Sequence, residues 1–340
     1  MRIVLDAMGS DNYPDPEVHA AVEASRTLDL EILLVGNEKM LRPRLEELKA
    51  GDLPIHLVHA PQVLEMTDKP ARTARKKADN SMAVGMDLLK NGEAEAFVTA
   101  GNTGGAMANA LFRLGRIRGV KRPALSAILP VVGGRAVLLD VGANVDCKPI
   151  FLLQFALMGA AYAQITLGVD NPRIGLLSNG EEPGKGNELV KETFPLLTGS
   201  GLNFIGNMEP KELYGGHADV VVTDGFTGNI LVKTSEAVAK LMTDILRQEL
   251  TSSFKIKIGA LLSKPAFTTL KKMIDPREVG AAPLLGIDGL VFVGHGRSDA
   301  HALVSAIRLA SQAVASNLLA SVKESIQAKM STLATSQDDE

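Results

Sequence analysis

The chain of 340 residues has no tryptophan, three tyrosines, one cysteine and a formal net charge of only −3. Each shortage excludes something. A lone Cys147 cannot form an internal disulfide, which suits a reducing compartment. An aromatic content of 4% without excess positive charge lacks the stacking rings and basic surface that nucleic-acid binding requires. No signal-peptide apolar region precedes the first strand-like run, Arg2-Ile3-Val4-Leu5, so the expected location is cytoplasmic. Residues 150–169 run without a charge, but Gln154, Tyr162 and Gln164 make them read as a buried core helix rather than a membrane span.

Several familiar chemistries are missing as well. Gly294-His295-Gly296-Arg297-Ser298-Asp299 fails the dinucleotide fingerprint at its last glycine. The run from Gly180 to Gly186 is one residue short of a phosphate-binding P-loop, and it puts Gly186 where magnesium needs a hydroxyl. There is no GxSxG elbow and no HExxH. His56 and His59, three apart in a strand, point to opposite faces and make poor metal partners.

What the chain does have is glycine loops that follow short apolar runs. Ala96-Phe97-Val98-Thr99 breaks at Gly101-Asn102-Thr103-Gly104-Gly105 and restarts with Met107, Ala110, Leu111 and Leu114 at helical spacing. Strand, glycine loop and helix together aim free backbone N–H groups and a helix N-terminus at an anion. Four more loops follow this logic, at residues 5–11, 139–144, 176–187 and 220–229. In an open parallel sheet such loops share the carboxyl edge, so one composite polar site is expected.

Strand and helix patterns alternate along the chain. Helices are expected at 16–28, 38–49, 71–90, 149–167, 187–197, 229–251 and 298–329, and a last strand at 287–293. Gly133-Gly134 joins two strands as a tight antiparallel hairpin, which argues against a regular eight-fold α/β barrel. The fold class is a doubly wound, three-layer α/β sandwich: one domain over residues 1–330, with a helical hairpin at about 252–275. The polar tail at 331–340 reads as disordered.

The blocks LDAMGSDNYP, TAGNTGG, LDVGAN, GLLSNGEEPGKGN, VVVTDGFTGN, GAAPLLG and GHGRSDAHA, in this order, resemble the bacterial phosphate acyltransferases of phospholipid synthesis over residues 2 to about 310. Ser10 and Gly105 depart from the usual Gly and Ala without adding bulk. The resemblance implies a fold like that of phosphotransacetylases and isocitrate/isopropylmalate dehydrogenases, a homodimer, and no metal or nucleotide cofactor. It also implies transfer of a fatty acyl group from the acyl carrier protein thioester to inorganic phosphate. The alternatives are a short-chain phosphotransacetylase-like enzyme that uses acyl-CoA and a non-catalytic acyl or phosphate sensor.

Phosphate is already anionic at pH 7 and needs no covalent protein nucleophile, so the protein must gather an anion beside a carbonyl and stabilise the oxyanion. Lys185, Asn229, Asn102 and Thr227 are the catalytic candidates, with Lys233 as a further cation. Gly9, Gly101, Thr103, Gly104, Asn144, Asn179, Gly180, Gly184, Gly225, Gly228 and His295 are the expected substrate-binding set. Asp6, Asp140 and Asp224 are expected to shape loops, since carboxylates would repel phosphate. The acidic carrier protein is expected to dock on basic runs at 72–77 and 113–122, above all on Arg113, Arg116 and Arg118. Leu261, Leu262, Phe267 and Leu270, bordered by Lys255, Lys257, Lys264, Lys271 and Lys272, predict peripheral contact with the inner face of the membrane. A downstream membrane glycerol-3-phosphate acyltransferase is the expected consumer of the product.

Overall fold

Short apolar runs, many of them ending in glycine or aspartate, form eleven strands of one sheet among the described residues. The computed structural model describes residues 1–335, apart from the side chains of residues 71, 271–272, 276 and 329–335. The first part of the chain is β1 (Arg2–Asp6), α1 (Asp15–Thr27), β2 (Glu31–Gly36), α2 (Glu38–Glu47), β3 (Ile55–His59), α3 (Pro70–Lys76), α4 (Ser81–Lys90), β4 (Ala96–Thr99) and α5 (Thr103–Arg113). The middle is β5 (Ala124–Val131), β6 (Gly134–Leu139), α6 (Pro149–Leu167), β7 (Ile174–Leu177), α7 (Glu188–Thr198), β8 (Phe204–Met208), α8 (Pro210–Tyr214) and β9 (Val220–Val222). The chain then forms α9 (Gly225–Leu250), α10 (Phe254–Leu262), α11 (Lys264–Ile274), β10 (Ala281–Leu285), β11 (Leu290–Gly294), α12 (Ala300–Ala315) and α13 (Leu318–Thr335).

Helices cover both faces of the sheet, and the period-two alternation of the strands divides the core accordingly. Ile3 and Leu5 of β1 pack with the α1 and α12 side, whereas Val4 packs with Met82 and Met86 of α4. The stretch at 150–169 is the expected core helix: α6 is long and apolar enough to cross a membrane, but Leu152 to Ala163 are all buried.

Strand direction decides where the loops go. The spatial order is β3-β2-β1-β4-β11-β10-β5-β6-β9-β7-β8. β1 to β4 and β11 are mutually parallel, as are β6 to β9. Between these groups lie three successive antiparallel pairings, β11 with β10, β10 with β5 and β5 with β6. Three reversals leave the two parallel groups running in opposite directions. Their carboxyl ends therefore lie at opposite edges of the sheet, and the five glycine loops do not form one site within a single chain. The loops after β1, β4 and β11 share a first edge; those after β6, β7 and β9 share a second.

Four segments differ from expectation. The helix expected at 71–90 is two helices, because the Asn80 side chain accepts the Ala83 N–H at 3.0 Å and starts α4 afresh. α9 begins at Gly225 because Asp224 caps it. The expected C-terminal helix breaks between α12 and α13, where Asn317 has a φ of 55° and the axes bend by 57°. Residues 331–335 of the expected disordered tail continue α13, and its residues 336–340 lie outside the described residues.

Candidate functional site

The first edge is built on buried oxygens. Asp6, at the end of β1, accepts the Thr99 hydroxyl at 2.7 Å and the Met8 N–H at 3.1 Å. Thr99 Oγ1 in turn accepts the Gly101 N–H at 2.9 Å. A methyl group on Gly9 would sit 2.7 Å from the Gly101 nitrogen and 2.8 Å from Thr99 Oγ1, so the two loops meet backbone to backbone and only glycine fits. Glu17 of α1 accepts the Ser10 N–H at 2.9 Å; Ala7 donates to the Val35 carbonyl and Asp11 to that of Gly296. Among residues 7 to 11, Gly9 alone has an N–H without a partner among the described residues.

Next to Gly101, Asn102 caps α5. Its Oδ1 accepts the Gly105 N–H at 3.0 Å and its Nδ2 donates to the Met66 carbonyl at 2.9 Å. This fixes the Asn102 amide and leaves the N–H groups of Thr103 and Gly104, the first of the helix, without intrahelical partners. Pro70 lies 2.6 Å from where a methyl on Gly104 would sit, so the chain after β3 lies against this first turn. His295 follows β11. Its Nε2 lies 3.5 Å from Oε1 of Glu236 on α9, and the Arg297 Nη2 lies 3.2 Å from Oε2 of the same carboxylate. The first edge thus gathers Gly9, Gly101, Asn102, Thr103, Gly104 and His295, and adds Arg297 and Glu236, which the sequence-based site set lacks. The signals were present: Arg297 sits in GHGRSDAHA, and Glu236 follows Asn229 by two helical turns.

The electrostatics of this floor suit an anion. Asp6 and Glu17 are fully buried, and among the described residues neither forms an ion pair with lysine or arginine. Burial pushes the Asp6 carboxyl up from its ordinary value, and burial, with the Asp6 charge adding to it, pushes Glu17 up to about 7. A protonated Glu17 leaves less negative charge beneath the loops.

The second edge is tied mostly to itself. Asp140 accepts N–H groups of Leu125, Gly142, Ala143 and Asn144, together with the Asn144 Nδ2. The other Nδ2 proton of Asn144 goes to the Pro123 carbonyl at 2.7 Å, so this side chain is turned inward and 7% exposed. A methyl on Gly228 would lie 1.9 Å from the Asp140 carbonyl oxygen, and one on Gly225 2.6 Å from that of Asn144, so α9 is seated on the β6 loop. Asp224 accepts the Thr227 N–H at 2.8 Å and its hydroxyl at 2.7 Å. The three aspartates that were expected to shape loops do so. Asn229 is half-buried beside Gly142. Asn179, Gly184 and Lys185 are exposed, and the Lys185 stem lies over Gly180. Cys147 is held as a thiol: burial, then the Asp140 charge, pushes it up to about 12.

The basic runs are not uniformly free. Arg113 pairs with Asp87 at 2.7 Å and donates to the Ala78 carbonyl at 2.6 Å, Arg116 donates to the Lys121 carbonyl, and Arg75 stacks on Phe112. Arg118 is exposed and engages no partner among the described residues. Beyond Glu236, α9 carries Val238, Leu241, Met242 and Ile245 in solvent. On α10 and α11, Leu261 is 69% and Leu262 78% exposed, Leu270 is exposed and Phe267 half-buried. The side chains of Lys271 and Lys272 lie outside the described residues.

Comparison with known proteins adds three findings. A family model described as "Fatty acid synthesis protein" matches residues 1–321. The chain is 47% identical over 327 residues to the "Phosphate acyltransferase" of Elusimicrobium minutum, covering 96% of each chain. It is 48% identical over 311 residues to that of Acidobacterium capsulatum, covering 91% of this chain and 92% of the relative. Among solved structures, the fold is similar to a phosphotransacetylase from Streptococcus pyogenes, with a TM-score of 0.59, 18% identity and coverage of 96% and 94%. It is also similar to 4-hydroxythreonine-4-phosphate dehydrogenase from Klebsiella pneumoniae, with a TM-score of 0.53, 13% identity and coverage of 92% and 99%. At these identities the likeness bears on fold alone, and it agrees with the sandwich expected from the sequence.

Proposed function

The chain belongs to the phosphate acyltransferases of fatty acid synthesis, and from that premise we propose that it takes its acyl group from acyl carrier protein and binds phosphate at the first edge. One observation carries the placement: Gly9 and Gly101 meet beside the open N-terminus of α5, and the β11 loop that carries His295 and Arg297 is tied to the same edge by the Asp11 N–H to the Gly296 carbonyl. Backbone N–H groups and a helix N-terminus suit phosphate, and loss of one such donor from an oxyanion site costs roughly 10²–10³ in rate. On the second edge the loop that carries Lys185 also carries Glu181 and Glu182, with the Glu182 carboxylate and the Lys185 stem both over Gly180, a poorer setting for an anion.

Hydroxylamine trapping of acyl phosphate, formed from acyl carrier protein thioester and inorganic phosphate, tests the reaction. A preference for acetyl-CoA would indicate the short-chain enzyme, and binding without turnover a sensor. For the placement, Arg297→Ala should raise the KM for phosphate and Lys185→Ala should not. The reverse pattern would move phosphate to the second edge.

The remaining surfaces support a working arrangement. The carrier protein docks through the exposed arginines of the two basic runs, Arg72, Arg75 and Arg118, and Arg118→Glu weakens that binding at low salt. A second copy covers the apolar face of α9, and Val238→Glu with Leu241→Glu yields monomers in analytical ultracentrifugation. The protein works in the cytoplasm, where α10 and α11 rest on the inner membrane face near the membrane acyltransferase that consumes the product. Flotation with anionic vesicles, lost in Leu261→Glu, is the check; wild type that fails to float at low salt excludes it.

A further inference from the structure

The α9 helix connects the two edges. Eleven residues separate Gly225 from Glu236, about 16 Å at 1.5 Å per residue, which matches a five-residue strand at about 3.3 Å per residue. The helix starts in the β6 loop at the second edge and arrives beside the β11 loop at the first. Glu236 is the residue that arrives. Its carboxylate is three-quarters buried, with one oxygen toward the His295 Nε2 and the other toward the Arg297 Nη2. Its position is held by two anchors before it on the helix, since Gly228 locks α9 onto Asp140 and the Ser235 hydroxyl bonds Tyr214. The loop it grips is equally fixed: Gly296 accepts from Asp11, and the Ser298 N–H closes on the His295 carbonyl at 2.9 Å. A carboxylate facing one ring nitrogen selects the tautomer with its proton there and leaves Nδ1 for other work. The imidazole itself is half in solvent, at the edge where Gly9 and α5 present their N–H groups.

We propose that Glu236 and His295 form a proton-transfer dyad for the acyl transfer, with Glu236 the positioning residue and His295 the catalytic one. A phosphate oxygen bonds to the acyl carbon and the carbon–sulfur bond breaks, its electron pair going to sulfur. The proton that hydrogenphosphate carried passes through the imidazole to that sulfur, so hydrogenphosphate and thioester become acyl phosphate and thiol. Arg297, held by the same carboxylate, supplies fixed positive charge for the phosphate. The proposal rests on the first edge being the reaction site.

The test is kinetic and uses the full-length enzyme with acyl carrier protein thioester and inorganic phosphate. His295→Ala should lower kcat by about 10²-fold, in the range of general acid–base effects, and added imidazole should restore part of the loss. Glu236→Gln should lower kcat less, and should cost nothing further in kcat in the His295→Ala background, while its hold on Arg297 is read separately in the KM for phosphate. Thermal melts of each variant separate misfolding from lost chemistry. A folded His295→Ala enzyme with kcat within about threefold of wild type overturns the proposal, as do kcat losses that multiply in the double variant. Wild type that forms no acyl phosphate would instead overturn the functional reading beneath it.

Discussion

Replacing Glu17 by glutamine should make stability less dependent on pH, by an amount that follows from the structure. Glu17 is fully buried, receives one N–H bond from Ser10, and has Asp6 as a like-charged neighbour. Burial lifts it from 4.5 to about 7. A raised folded value means that the native state holds this proton more tightly than the unfolded chain does. The stabilisation it gives is complete below pH 4.5 and disappears as pH rises to about 7. At about 1.4 kcal/mol per unit, the swing is about 3 kcal/mol. Glutamine keeps an oxygen for the Ser10 N–H and carries no charge at any pH. Urea unfolding followed by circular dichroism at pH 5, 6, 7 and 8 should therefore show the variant gaining on wild type by about 2.5 kcal/mol from pH 5 to 8, most of it below pH 7. A constant difference between the two proteins from pH 5 to 8 would refute the assignment of a buried proton to Glu17.

Gly228→Ala places a methyl 1.9 Å from the Asp140 carbonyl oxygen and should cost about 3 kcal/mol or more, whereas Gly184→Ala meets nothing within 4 Å and should stay within about 0.5 kcal/mol; melting temperatures compare them. Cys147, pushed up to about 12, should be about one part in 10⁴ thiolate at pH 8 and resist iodoacetamide in the folded enzyme, while Cys147→Ser keeps its activity. Arg113→Glu should destabilise the fold by about 1 to 2 kcal/mol through the lost Asp87 pair and Ala78 bond, an effect that Arg118→Glu lacks; chemical denaturation separates docking from folding.

Much of this architecture was legible because each strand end announces itself locally. An apolar run that stops at glycine and restarts at helical period needs no distant information, so β1, β4, β6, β7 and β9, with their loops, could be placed from sequence. Asp6, Asp140 and Asp224 were readable as loop-shaping residues for the same reason. Strand direction was not legible, because it depends on counting every antiparallel step between the two halves. The Gly133-Gly134 hairpin reveals one step, but β10 conceals the others: Pro283 and its two alanines give it little strand character, and although β11 follows closely, its other partner, β5, lies far away in sequence. With β10 unseen, the five loops collapse into one imagined site. The Glu236–His295 approach is likewise tertiary, since nothing local to either residue specifies the other. Arg113 shows the converse difficulty. A charge in a basic run looks like open surface until the partner it meets, Asp87, is known.

The length of α9 also sets a height. From Glu236 to Leu250 the helix rises about 21 Å, at 1.5 Å per residue, before the chain turns into α10. Any surface on which α10 and α11 rest therefore lies at a standoff from His295 that is dictated by a helix rather than by a loose tether. Removing or adding seven residues within this outer span would lower or raise the reacting edge by about 10 Å and would nearly preserve the rotational phase of the helix, because seven residues are close to two turns.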